Sequence, residues 1–128
     1  MHMWKPGINH IEFWVSDLEK SLAFYSGFFE TIGWNRLNKT AFSTGTIEIY
    51  FKEAKVSRKD TAGPRHICFQ AVERSIVDEV YLYLKKQNAE IIRGPIDADN
   101  YSQGYYTIDF RDPDRYVLEV AYTPNMEM

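Results

Sequence analysis

Four residues of this chain combine chemistry-bearing side chains with a shared local pattern: His10, Glu48, His66 and Glu119. His10 lies in Ile8-Asn9-His10-Ile11-Glu12-Phe13-Trp14-Val15, where Ile11, Phe13 and Val15 alternate with His10, Glu12 and Trp14. That is the period of a half-buried strand, with the imidazole on the face away from the core. In the later stretch "RHICFQAV", Ile67, Phe69 and Ala71 alternate with His66, Cys68 and Gln70 in the same way. In Ile47-Glu48-Ile49-Tyr50-Phe51, the apolar set leaves Glu48 and Tyr50 opposite. Glu119 stands between Val117 and Ala121 in an apolar strand, where a carboxylate is costly to bury without a cation or a proton.

Taken singly, each of these residues fits the wet face of a strand. Together they give two imidazoles and two carboxylates, a donor set suited to zinc, nickel, manganese, cobalt or iron. An octahedral ion held by four donors keeps two positions for water or substrate, as catalysis requires.

The elements that would position them occur twice. After the first strand, Ser16-x-x-Glu19 reads as a capping box, and Leu18, Leu22, Tyr25, Phe28, Phe29 and Ile32 recur at helical steps until Gly33. Strands are expected at residues 34–37, 41–43 and 46–51. Residues 52–64 are polar, end in Gly-Pro and read as a linker. The plan then restarts: "RHICFQAV" mirrors "NHIEFWVS", and a second helix carries Val77, Val80, Tyr81 and Leu84 on one face, with Asn88 as a left-handed stop. Strands at 90–93, 105–110 and 116–122 follow, the last two joined by Asp112-Pro113-Asp114-Arg115. The expected organisation is one domain over 1–128, with module one at about 6–51 and module two at about 65–123. If the modules pack as pseudo-symmetric copies, the four donors converge on one concave sheet face.

Bulk composition narrows the function classes. With 128 residues and 45% hydrophobic content, the chain is long enough for one real core. Fifteen basic against 18 acidic residues give a net charge of −3 with no basic block, which argues against nucleic acid and anionic membrane as partners. No apolar run approaches the roughly 20 residues of a spanning helix. The N-terminal residues lack the segments of a signal peptide, and the single Cys68 forms no internal disulfide, so a cytoplasmic location is expected.

At "INHIEFWVSDLEKSLAFY", "RHICFQAV" and "GYYTIDFRDPDRYVLEVAYTP" the chain resembles the vicinal oxygen chelate superfamily. That group includes glyoxalase I, fosfomycin-resistance proteins, methylmalonyl-CoA epimerase, extradiol dioxygenases and bleomycin-resistance proteins. The Asp-Pro-Asp hairpin followed by a strand glutamate is the most specific part, with Arg115 where the superfamily usually has glycine. The resemblance implies an α+β fold in which two βαβββ modules build a cup-like mixed sheet around a divalent metal ion. It also implies a homodimer whose sites take His10 and Glu48 from one chain and His66 and Glu119 from the other.

The four-member set is similar to that of bacterial glyoxalase I. This implies a lyase or isomerase acting on a small oxygenated substrate, in which the metal stabilises an enediolate or alkoxide while Glu48 or Glu119 moves a proton. A fosfomycin-type antibiotic-modifying enzyme and a non-enzymatic drug-binding protein are the alternatives. Trp14 and Tyr50 share faces with the proposed ligands and are expected to line the pocket. Tyr101 and Tyr105 follow Gly94-Pro95 in a polar loop and are expected at its mouth.

Overall fold

The structure, a computed structural model, describes residues 6–55 and 66–126. Its elements run β1 (His10–Val15), α1 (Leu18–Ile32), β2 (Asn35–Asn38), β3 (Ala41–Ser43), β4 (Glu48–Glu53), β5 (Ile67–Gln70), α2 (Arg74–Lys86), β6 (Ile91–Asp97), β7 (Tyr106–Arg111) and β8 (Val117–Tyr122). The repeat is a repeat of topology. The first sheet has the order β1-β4-β3-β2 and the second β5-β8-β7-β6. In each, the first strand of the module pairs in parallel with the fourth, and the remaining pairs are antiparallel. Of the expected linker at 52–64, Lys52 and Glu53 extend β4, and residues 56–64 lie outside the described residues.

Helix α1 ends as its sequence demands. Gly33 adopts φ 96°, and its N–H donates to the Phe29 and Glu30 carbonyls, a left-handed cap that a side chain would strain. Asn88 takes φ 55° just beyond α2, as expected of the stop there. The start of α1 differs from expectation. Asp17, not Ser16, caps the helix, its carboxylate accepting from the Lys20 N–H at 3.1 Å. Ser16 is drawn away because its N–H and hydroxyl both donate to the Asp114 carboxylate in the terminal hairpin. A charge-assisted pair of bonds outcompetes a neutral hydroxyl cap.

Both modules share one core. Phe24, Tyr25, Phe28, Phe29 and Ile32 from α1 join Val77, Val80 and Leu84 from α2, together with the inward residues of both sheets. Phe28 packs edge-on against Phe69 and Phe110 of the second sheet, each at 5.4 Å between centroids. The two helices touch closely at Gly27, where an added Cβ would lie 2.4 Å from the Tyr83 ring, whose hydroxyl donates to the Phe24 carbonyl. No helix among the described residues is long and apolar enough to cross a membrane.

The β7–β8 hairpin ties module two to module one. Asp112 accepts from the backbone N–H groups of Asp114 and Tyr116 and from the buried Tyr25 hydroxyl at 2.6 Å. Arg115 completes the turn at φ 71°, so it adopts the backbone conformation for which glycine is usually chosen. The Phe13 and Tyr116 rings stack across the module boundary at 5.0 Å, and the Tyr116 hydroxyl donates to the Trp14 carbonyl.

Burial holds the Asp112 carboxyl above its ordinary value, and the Tyr25 hydroxyl works against that by stabilising the ionised form. Tyr25→Phe is therefore expected to lower unfolding stability by about 1.5–3 kcal/mol at neutral pH, the range for a buried bond to a charged group. Without the phenol, the folded-state pKa of Asp112 rises further above its unfolded value. The loss should accordingly be full at neutral pH and shrink as pH falls and Asp112 takes up its proton. Urea titrations of both proteins across pH check this, and a loss that grows toward acid would contradict it.

Candidate metal and substrate site

On the first sheet, His10 and Glu48 are direct partners in the parallel β1–β4 register, and Tyr50 lies one alternate position along. The core takes Phe13, Val15, Ile49 and Phe51, so strand alternation turns His10, Glu48 and Tyr50 to the opposite face. The Tyr50 hydroxyl donates to Glu48 Oε1, and its ring meets the His10 ring edge-on at 5.6 Å. His10 Nδ1 lies 2.8 Å from Asn9 Oδ1. With its proton on Nδ1, the imidazole keeps the Nε2 lone pair for a ligand. Trp14 is on the same strand face, 53% exposed, with its indole N–H bonded to Glu12.

On the second sheet, Glu119 is only 5% exposed although it is a carboxylate in an apolar strand. Its two oxygens have different surroundings. Oε2 accepts from the Tyr105 hydroxyl at 2.7 Å and from the Thr107 hydroxyl at 2.6 Å. Oε1 faces His66 Nε2 at 3.1 Å. Ala98, Tyr105 and Ala121 form a small apolar cluster on this side of β8, so the loop at 98–105 folds over Glu119 rather than standing off it. Burial, then the bond to Glu119, pushes the Tyr105 phenol up and keeps it a donor. Burial and the same carboxylate raise the Cys68 thiol to about 12, so it is protonated at neutral pH.

A cavity of about 800 Å³ opens beside this pair, lined by His66, Glu119, Arg93, Asp109, Tyr101 and Tyr105 among others. Asp109 is the register partner of Glu119 on β7. Burial, then the neighbouring Glu119 charge, raises its carboxyl, and Arg93 Nε, donating at 2.7 Å, opposes that rise. Tyr101 is 60% exposed at the rim, with the Arg93 guanidinium 5.9 Å from its ring centre.

The structure thus brings the expected residues together in two groups. His10, Glu48, Trp14 and Tyr50 share the first sheet, and His66, Glu119, Tyr101 and Tyr105 the second. Within one chain the four ligand candidates form two pairs. Among the described residues no group of three or more His, Cys, Asp or Glu side chains is disposed to hold a metal ion. Thr107, Asp109 and Arg93 were not among the candidates read from sequence. Thr107 and Asp109 follow Tyr105 at alternate positions, so strand periodicity alone could have placed both beside it.

The donor chemistry fits a borderline divalent ion: one imidazole with its outer nitrogen already satisfied, one carboxylate with a single oxygen engaged, and a second His–Glu pair of the same composition.

Comparison with known proteins agrees over nearly the whole chain. Residues 7–120 match the family described as the Glyoxalase/Bleomycin resistance protein/Dioxygenase superfamily. The Metallothiol transferase FosB of Shouchella clausii (strain KSM-K16) is 33% identical over 120 residues, covering 89% of this chain and 78% of that protein. Among solved structures, a glyoxalase/dioxygenase from Nostoc punctiforme superposes with a TM-score of 0.74 at 17% identity, covering 94% of this chain and 92% of its own. A glyoxalase/bleomycin resistance protein from Albidiferax ferrireducens T118 gives 0.72 at 20% identity, covering 91% of this chain and 98% of its own. At these identities the structural matches speak to the fold.

The backbone behind Thr107 depends on Gly94. Gly94 has φ 96°, and a Cβ there would lie 2.4 Å from the Thr107 carbonyl oxygen. Gly94→Ala is expected to cost about 1–3 kcal/mol of stability, the range for a strained backbone position. Denaturant unfolding measures it, and an unchanged midpoint would show that β6 and β7 can separate freely here.

Proposed function

We propose that this chain, which belongs to the Glyoxalase/Bleomycin resistance protein/Dioxygenase superfamily, is a divalent-metal-dependent enzyme acting on a small oxygenated substrate in a site shared by two chains. The observation that carries this reading is the division of donors. His66 and Glu119 meet on the second sheet, and His10 and Glu48 are register partners on the corresponding strands of the first. Each chain holds two halves of a four-donor set, and a homodimer with twofold symmetry completes two such sets.

In that site His10, His66, Glu119 and Glu48 would hold the ion, which would supply Lewis-acid stabilisation of negative charge on a substrate oxygen. The two carboxylates have unequal surroundings. Glu119 is buried and held by two hydroxyls, whereas Glu48 is half-buried and, among the described residues, held by the Tyr50 phenol. Glu48 is therefore the group assigned to move a proton between adjacent substrate carbons, taking it from one and returning it to the other, as in a lyase or isomerase of the glyoxalase type. Glu119 anchors. The cavity beside His66 receives the substrate, with Tyr101 at its rim and Trp14 and Tyr50 brought in by the partner's first sheet.

A second reading has its own support. The 33% identical relative is named a metallothiol transferase, which favours addition of a thiol to the substrate, as in fosfomycin modification. The two readings separate by the reaction that the metal-loaded protein carries out. For proton movement, Glu48→Gln should lower turnover by roughly 10²–10⁴-fold in an isomerase or proton-exchange assay, the range for a general base. For thiol transfer, the metal-loaded protein should consume thiol in the presence of fosfomycin and show no isomerase or proton-exchange activity. Absence of both activities, with metal bound, would favour a binding protein.

The shared site is tested by mixing. His10→Ala and His66→Ala chains should each lose metal binding as homodimers. In a mixed dimer both defects fall in one site and the other is intact, so an equal mixture should recover about a quarter of the wild-type sites after random exchange. Metal content after gel filtration measures this. No recovery despite demonstrated subunit exchange would mean that the donors are not shared between chains.

A further inference from the structure

Tyr105, expected from sequence at the mouth of the pocket, lines the cavity beside His66, and its hydroxyl is bonded to Glu119 with the residue only 9% exposed. Thr107 is fully buried and points its hydroxyl at the same carboxylate oxygen. Its single hydrogen goes to Glu119 Oε2 at 2.6 Å in preference to the Val120 carbonyl, which lies at 3.1 Å.

Two hydroxyl donors on one oxygen of a buried carboxylate have a directional consequence. Oε2 has its lone pairs committed to two hydroxyls, one of them on the fully buried Thr107. Rotation of the carboxylate about its last bond would exchange the oxygens only by breaking both bonds at once in a site of low dielectric, where each is strong. Oε1 is left as the oxygen facing His66 Nε2. Ala98 and Ala121 pack around Tyr105, and the missing Cβ of Gly94 lets β6 lie against the Thr107 carbonyl, so both donors are themselves held in place.

We propose that Tyr105 and Thr107 are positioning residues that make Glu119 a one-oxygen metal ligand, with Oε1 as the donor and Oε2 withheld. This rests on the metal-site reading above and deepens it. A carboxylate free to bind through both oxygens would occupy two coordination positions. Held as it is, Glu119 takes one position and leaves the other for substrate. Neither residue touches the reacting atoms. Their effect passes through Glu119.

Cobalt(II) is the probe, because its visible absorption reports coordination number independently of turnover. Wild-type protein, Thr107→Val, Thr107→Ser, Tyr105→Phe and the Thr107→Val/Tyr105→Phe double variant are titrated with cobalt(II) against a competing chelator. Removing either hydroxyl should weaken cobalt binding by about 10–100-fold, and removing both should weaken it further. The double variant should also show a changed visible spectrum, as the freed Oε2 takes the place of a water in the coordination shell. Thr107→Ser, which keeps the hydroxyl, should behave as wild type. If Thr107→Val fails to fold, Tyr105→Phe and Thr107→Ser still decide the matter. Wild-type affinity and spectrum in Tyr105→Phe and the double variant would overturn the positioning role, as would equal losses in Thr107→Ser and Thr107→Val, which would indicate packing alone. A wild-type protein that binds no cobalt would remove the metal site itself and the positioning role with it.

Discussion

The fold depends on how the Asp112-Pro113-Asp114-Arg115 hairpin is anchored. Both of its carboxylates are buried, and both reach into the other module: Asp112 to the Tyr25 hydroxyl on α1, and Asp114 to the N–H and hydroxyl of Ser16 between β1 and α1. A buried carboxylate without such partners would cost several kcal/mol. Asp112 also accepts two backbone N–H bonds inside the turn, but the side-chain bonds of both carboxylates cross between modules, so docking module two on module one completes the hairpin's set of partners. The same hairpin opens β8, four residues before Glu119. The position of the candidate ligand is thus set, through a short and fully bonded turn, by the junction of the two halves.

That junction also determines which faces remain available. Both helices and the inward faces of both sheets meet in one core, with α1 against α2 at Gly27 and Tyr83, and with Phe28 reaching across to Phe69 and Phe110. The donors all lie on faces that this packing leaves outside. On the first sheet that face is open, with His10 exposed and Trp14 projecting from the same strand. On the second it is partly roofed by the 98–105 loop, which accounts for the burial of Glu119 but not of Glu48. Two strands of equivalent topology therefore give their carboxylates different environments. Chemistry that needs one fixed and one movable carboxylate requires that difference.

Much of this was legible from residue order. Alternation alone places His10, Glu48, His66 and Glu119 on non-core faces, and β3 falls on residues 41–43 as read, with β2, β4, β7 and β8 shifted by one or two positions. The repeated βαβββ order is legible because each module spells its own periodicities. Less accessible were interactions between residues far apart in the chain. Ser16-x-x-Glu19 is a sound local cap signal, overridden by Asp114, 98 residues away. Tyr105 reads as a loop aromatic at a pocket mouth, since nothing local says that its hydroxyl meets Glu119. Thr107, small and neutral between two tyrosines and an isoleucine, carries no chemical signal of its own.

The division of the donors into two pairs follows from the same packing. For His10 and Glu48 to meet His66 and Glu119 in one chain, the non-helix faces of the two sheets would have to turn toward each other. That would pull α1 from α2 and open the aromatic core that Phe28, Phe29 and Phe69 close. It would also break the bonds of Asp112 to Tyr25 and of Asp114 to Ser16. A second chain needs none of these changes. It can present its own first sheet, already folded with His10 and Glu48 in register, to the second sheet of its partner. The core contacts that keep the pairs apart within one chain are thus what leaves each pair free to be completed by another.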